Sequence, residues 1–392
     1  MNFKSQLEKY KNGNASAEEI KLIKEELNKY EAIEDYLSES YDLSFQNEIS
    51  NETIKNENNF VKNSVNKKLR KMILASVAIV FSILFAFSYI VLPIIGSFYY
   101  NPSKKEVGKF HEDSYFDLKA FTELNSPGYA IASASSENLG FGKYNIYFER
   151  LNLFNREIKN VNVNIERNIR IGNLENYFAN SFLEFKDHTQ PNSNNKLIEI
   201  QNEKVINYIK ELNHVSYISS YIKLKENLSL KEFDELKKRY NDKVSFKWVA
   251  VRTENEAKSQ SYLSGFNPDY NNIPISEDTA NKNKYPYLQL GDYWTDGWDK
   301  VKPNDSMVVL YTKHFTSLLR YMIDRENAVK ALDNNEIKIE YYKNALNYVE
   351  KNGINIYGLL ICGESRDLLK FIDEQNIKTI EIKGVLPSKY IN

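Results

Sequence analysis

MILASVAIVFSILFAFSYIVLPII occupies residues 72–95, and no charged side chain occurs between Met72 and Ser103. As a helix these 24 residues extend about 36 Å, enough to cross a hydrocarbon core of about 30 Å with some tilt. A cleaved signal sequence would have an apolar core of about 7–15 residues close to the N-terminus. Here a long polar segment comes first. The run is read as a permanent membrane span that divides the chain unequally, a short arm before it and residues 96–392 after it.

The flanks set an orientation. Residues 57–71 carry Lys62, Lys67, Lys68, Arg70 and Lys71, whereas residues 96–110 carry Lys104, Lys105 and Lys109. Positive charge tends to stay in the cytoplasm, which puts the N-terminus inside and the C-terminus outside. Tyr89, Phe98, Tyr99 and Tyr100 then fall at the outer interface, where amphipathic rings are favoured. Ala78, Ser82 and Ala86 form a small-residue stripe at spacing four, which is either a homodimer contact or a chance of composition.

Before the span, Phe3, Leu7 and Tyr10 recur at helical spacing, and the Asn and Gly of KNGNA interrupt them. Ser16 followed by Glu19 is a capping box. Ile20, Ile23, Leu27, Tyr30 and Leu37 then line one face of a second helix running to about Ser40. Two such short helices cannot bury their apolar faces against one another alone, so the unit calls for a partner. Residues 1–60 hold 13 acidic and 7 basic side chains, a net of −6, which favours a basic protein and disfavours nucleic acid or an anionic leaflet. The heptad pattern that would favour self-association fails at Glu34. Residues 44–66 are rich in Asn and read as a flexible tether.

Beyond the span, GYAIASASS, KYNIYFERL and IKNVNVNIERNIRI alternate as strands do. Further on the chain resembles itself. VINYIKELNHVSYISSYIKL from Val205 and ALNYVEKNGINIYGLLICG from Ala345 each give helix then strand, and each is followed by a second helix and strand. Two such α-β-α-β units, over 201–252 and 337–386, imply helices layered on sheet in an α+β or α/β domain. Between them a loop rich in Asn, Asp and Pro contains Trp294 and Trp298 beside Asp292, Asp296 and Asp299. A sugar, peptide or calcium site is one reading of that loop. Tryptophans anchoring it to the core is the other, favoured because the Gly and closing Glu of a calcium loop are missing.

No catalytic chemistry declares itself. CGESR at Cys362 lacks the G-x-S-x-G pattern, no phosphate loop occurs, and the four histidines are not at metal-ligand spacing. The single cysteine allows no intramolecular disulfide and no cysteine-based zinc cluster, and the net charge of −1 argues against nucleic acid as a partner. No cofactor, metal or catalytic residue is expected.

NASAEEIKLIKEELNKYEAIEDYL before the span, with KHFTSLLRYMID and YVEKNGINIYGLLICGESRDLLKFID near the end, resembles single-pass membrane anti-sigma factors of Gram-positive bacteria with sigma-factor-regulator N- and C-terminal domains. The resemblance implies that the cytoplasmic segment withholds an extracytoplasmic-function sigma factor from RNA polymerase while the outer domain senses an unidentified envelope signal. Many such factors bind zinc through a His and two Cys in the cytoplasmic part. This chain has neither residue before the span, which implies a zinc-free type. The expected contacts are Phe3, Leu7, Tyr10, Ile20, Ile23, Leu27, Tyr30 and Leu37, with Glu19 and Glu26, and also Glu18, Glu25 and Glu34, facing a basic surface. The expected fold class is α+β. Its parts are a helical arm over 1–43, a tether and basic flank over 44–71, the span over 72–95, a strand-rich part over 96–190 and an α/β regulatory domain over 191–392. A membrane-anchored envelope-binding protein with a ligand-binding outer domain is the alternative.

Overall fold

The computed structural model describes residues 7, 9–13, 15–42, 51–172, 195–255, 262–269, 280–291, 306–335 and 337–389. Phe3 lies outside these residues, as do Asp292, Trp294, Asp296, Trp298 and Asp299 of the long loop. The chain forms two compact units, Met1–Leu84 and Phe85–Asn392.

In the first unit a helical stretch at 9–11 ends on Gly13, whose φ of +75° suits a residue without Cβ. Helix α1, Ala17–Asp42, follows. Its start is the capping box: Ser16 N donates to Glu19 Oε2 at 2.9 Å, and Glu19 N donates to Ser16 Oγ at 3.3 Å. Helix α2 spans Asn51–Ala86, so 51–71, read from sequence as a tether and basic flank, continue the helix of the apolar run. The physical reason is that no Gly or Pro occurs between 51 and 92, so nothing stops propagation through the Asn- and Lys-rich turns. A single π turn at Phe87–Val91 precedes a short helix α3, Leu92–Ser97. Pro93 cannot donate to the carbonyl four residues back, and the wider turn just before it absorbs that break.

The second unit then packs helix α4, Asp113–Asn125, on a four-stranded antiparallel meander. Its strands are β1, Tyr129–Gly140; β2, Lys143–Asn152; β3, Ile158–Glu166; and β4, Ile169–Ile171. Alternation works as expected here: Tyr144, Ile146 and Phe148 of β2 and Val161, Val163 and Ile165 of β3 are buried on one face. The β1–β2 turn has positive φ at Phe141 and Gly142, and the β3–β4 turn at Arg167 and Asn168, the handedness that matches strand twist.

The second sheet is also antiparallel, in the order β7-β6-β8-β5-β9. It comprises β5, Tyr217–Ser229; β6, Val244–Val251; β7, Gly265–Phe266; β8, Asn355–Glu364; and β9, Ile377–Leu386. Helix α5, Asn195–Glu211, precedes β5, and α6, Leu230–Tyr240, joins β5 to β6. Helices α7, Met307–Asp324, α8, Glu326–Asp333, and α9, Ile337–Asn352, come before β8, and α10, Ser365–Glu374, joins β8 to β9.

The apparent repeat acquires a physical meaning here. β5-α6-β6 and β8-α10-β9 are two βαβ units whose strands interleave, the split βαβ arrangement of ferredoxin-like folds. The leading helices are not equivalent: α5 packs on β9 and α10, and α9 packs on α7 and α8. One sheet face, with Ile218, Ile222, Phe246 and Leu359, shares a core with Phe233 and Phe371 of α6 and α10. The other carries Tyr221, Trp248, Tyr357 and Leu360. β8 is central and buried on both faces, which its unbroken apolar run YGLLIC reflects.

Candidate functional site

Two places could act on a partner or a signal, and each is described within its own unit. The first is the surface of α1. The stripe expected to face a partner divides in the structure: Ile23 is 1% exposed and Ile20 half-buried, while Leu27 and Tyr30 are exposed at 45% and 65%. Leu7 and Tyr10 are exposed as well, Leu37 lies in α1 with no side-chain description, and Phe3 falls outside the described residues. Leu22, Ile33 and Tyr36 are exposed too, and their spacing of 11 and then 3 returns to one helical face.

The carboxylates are partly engaged. Glu19 closes the capping box and accepts from Lys9 Nζ at 3.1 Å, and the Ser16 backbone N–H, with these other donors, holds its carboxyl below the usual range. Glu26 accepts from Lys29 Nζ at 2.6 Å. Glu18, Glu25 and Glu34 are exposed. The apolar side chains left on the surface therefore lie in an acidic field with few local cations.

The second place lies just beyond the apolar helix, where Tyr100 enters the core of the second unit. Its hydroxyl donates to Asp117 Oδ2 at 2.8 Å. Asp117, fully buried on α4, also accepts from Tyr321 Oη at 2.6 Å and from Arg325 Nε and Nη2, each at 2.8 Å. Arg325 Nη2 further approaches Asp113 Oδ2 at 3.1 Å, and Asp113 Oδ1 accepts the Glu106 and Val107 N–H groups. Burial, followed by the negative charge of Asp117, raises both tyrosine hydroxyls well above their ordinary range. Burial opposes charge on Arg325, but Asp117 outweighs it and raises the guanidinium further. One carboxylate thus binds α4, α7 and the residue four positions after Gly96.

A second polar bridge joins α4 to α7. His314 Nε2 lies 2.8 Å from Glu123 Oε1, its Nδ1 lies 2.7 Å from the Tyr287 carbonyl, and the ring is fully buried. Elsewhere, a cavity of about 280 Å³ lies between the β2–β3 turn and the second sheet, lined by Asn152, Phe154, Tyr221, Lys247 and Cys362. Burial lowers the Lys247 ammonium and pushes the Cys362 thiol up to about 11. Among the described residues no group of three or more His, Cys, Asp or Glu side chains is placed to hold a metal.

Among the described residues, one helix long and apolar enough to cross a membrane, followed by a large α+β domain of two antiparallel sheets, defines the architecture. Residues 209–383 match the family described as sigma factor regulator C-terminal. That family is a regulatory one. The match takes in the interleaved sheet and α7 to α10, and leaves the first unit, α4 and the meander outside. No curated protein and no solved structure matches the chain.

Proposed function

We propose that the chain is a membrane-bound anti-sigma factor. The apolar part of α2 and the turn after it cross the bilayer, the residues before Met72 face the cytoplasm, and residues beyond Tyr99 lie outside. The regulator family match downstream of a single apolar helix carries this reading. Exposed Leu22, Leu27, Tyr30, Ile33 and Tyr36 on α1 are the face we assign to an extracytoplasmic-function sigma factor, with Glu18, Glu25 and Glu34 steering a basic partner. Ile23 works differently: at 1% exposure it belongs to the fold of the arm. Regulation across one helix requires two states with different affinity for the sigma factor, set by conditions outside or by self-association through Ala78, Ser82 and Ala86. The chain needs no catalysis for this.

Co-purification of the full chain with sigma factors of the same genome tests the assignment. Leu27→Asp with Tyr30→Asp is expected to abolish capture while helical content stays unchanged. Undiminished capture would sink the proposed face. The cavity beneath the β2–β3 turn supports a second reading, an outer domain whose main role is to hold an envelope ligand. A chain that captures no sigma factor, yet whose melting midpoint rises with a wall-derived ligand, would favour it.

A further inference from the structure

We propose that the paired turns at one end of the meander rest on the lipid surface, with Leu139, Phe141 and Ile169 in the headgroup layer of the bilayer that the apolar helix crosses. This rests on the membrane reading given above. The argument is one of distance and exposure. The apolar segment ends at Gly96, and Tyr99 follows three residues later, within about 11 Å of chain. Tyr99 packs on the β1–β2 turn so closely that a Cβ on Gly142 would come within 2.9 Å of its ring. Tyr100 N donates to Asn168 Oδ1 of the β3–β4 turn, and Arg167 N donates to Gly142 O at 2.8 Å, which ties the two turns together. This end of the sheet is therefore held at the point where the chain leaves the apolar helix.

What it displays there is apolar. Leu139 is 53% exposed, Phe141 55% and Ile169 58%, and Phe98, between helix and turn, is 71% exposed. Phe141 occupies a position with φ of +53°, where Asn or Gly is the usual choice, and keeps its ring in the open. Gly140, Lys143, Glu166 and Ile169 form one row across the four strands, and the Lys143–Glu166 ion pair at 3.1 Å gives that row a polar rim. Apolar tips with polar flanks, a few residues from a span, fit an interfacial lipid contact.

The test uses the full chain in phosphatidylcholine nanodiscs. Cys362 is buried and is the only cysteine, so a fluorophore placed by Leu139→Cys, Phe141→Cys, Ile158→Cys or Ile79→Cys reports one site each. Ile158 lies at the opposite end of the same sheet and Ile79 within α2. Spin-labelled lipid is expected to quench the Leu139 and Phe141 labels about twofold or more and to leave the Ile158 label unchanged. Quenching at Ile79 without quenching at 139 and 141 overturns the contact and leaves the span standing. No quenching at Ile79 overturns the span itself. A blue-shifted but unquenched label at 139 means that protein covers the turns, and that also refutes the proposal.

Discussion

The hydrogen bond from Tyr100 to Asp117 makes the core of the second unit hold the chain at its exit from the apolar helix, and Tyr100→Phe tests this with little change in packing. The substitution keeps a ring that is 3% exposed and removes one hydroxyl bonded to a carboxylate. Hydrogen bonds to charged groups contribute about 1.5–3 kcal/mol, so hydrogen exchange over residues 97–106 should accelerate by about 10- to 150-fold. Tyr321→Phe removes the same kind of bond to the same carboxylate from α7, and should lower global stability without selectively opening 97–106. In a double-mutant cycle with Asp117→Asn, the Tyr100 bond should appear as a coupling of about 0.5–3 kcal/mol. Asp117→Asn alone should cost about 3–5 kcal/mol, because it leaves Arg325 with a broken buried pair. Exchange over 97–106 that is unchanged in Tyr100→Phe, or altered equally by Tyr321→Phe, would refute the anchor.

Alkaline pH should unfold the second unit. Burial raises Tyr100, Tyr217, Tyr321 and Tyr342, and raises Tyr341 to about 12, so above about pH 10 the unfolded chain loses protons that the folded one keeps. Each such tyrosine removes about 1.36 kcal/mol of stability per pH unit in that window, and Tyr321→Phe should flatten a denaturant-measured pH profile by one proton. Lys247 and Lys338, lowered by burial, act with the opposite sign below about pH 10.5. Gly265→Ala should cost at least about 1–3 kcal/mol in a melting experiment, since its Cβ would fall 1.9 Å from the Val249 carbonyl, which no rotamer can relieve. Asn202→Ala should cost about 1–3 kcal/mol and promote aggregation measured by light scattering. The Asn202 amide donates to Lys378 O and accepts from Ile380 N, closing the β9 edge as a further strand would.

Local rules reached far in this chain and stopped at identifiable points. Absence of charge marked the apolar run, the Ser16–Glu19 spacing marked the start of α1, and alternation in KYNIYFERL marked β2. Helix α4 escaped notice because DSYFDLKAFTELN is buried on nearly all sides, which erases the one-sided stripe by which a helix is recognised. The order of helices and strands in the two halves was visible, but the interleaving of β5 and β8 depends on pairing between residues more than a hundred positions apart. The exit anchor was hidden for the same reason: Asp117 meets Tyr321 and Arg325 across 204 and 208 positions, and no short motif encodes that meeting. On α1 the helical period selected Ile23 and Leu27 together, although one is buried and the other lies on the surface.

These placements constrain how a regulatory signal could travel. Tyr321 and Arg325 belong to the segment that the family model matches, and Tyr100 and Asp117 lie before it, so Asp117 is a point at which the matched segment grips the chain's exit. The carboxylate has two oxygens and accepts four hydrogen bonds, so a donor that is displaced must be replaced by another donor for the oxygen to stay satisfied. A shift at the end of α7 that withdraws Arg325 would leave the Asp117 carboxylate without its counter-charge in a fully buried site, a cost of several kcal/mol, whereas withdrawal of Tyr321 alone would lose one hydrogen bond. Such a site favours discrete arrangements over gradual drift, because partial displacement incurs the desolvation cost without regaining a partner. If a signal passes through this exit, an exchange of donors at Asp117 is the expected transition, and a variant with a stronger donor set there should hold one state whatever the signal.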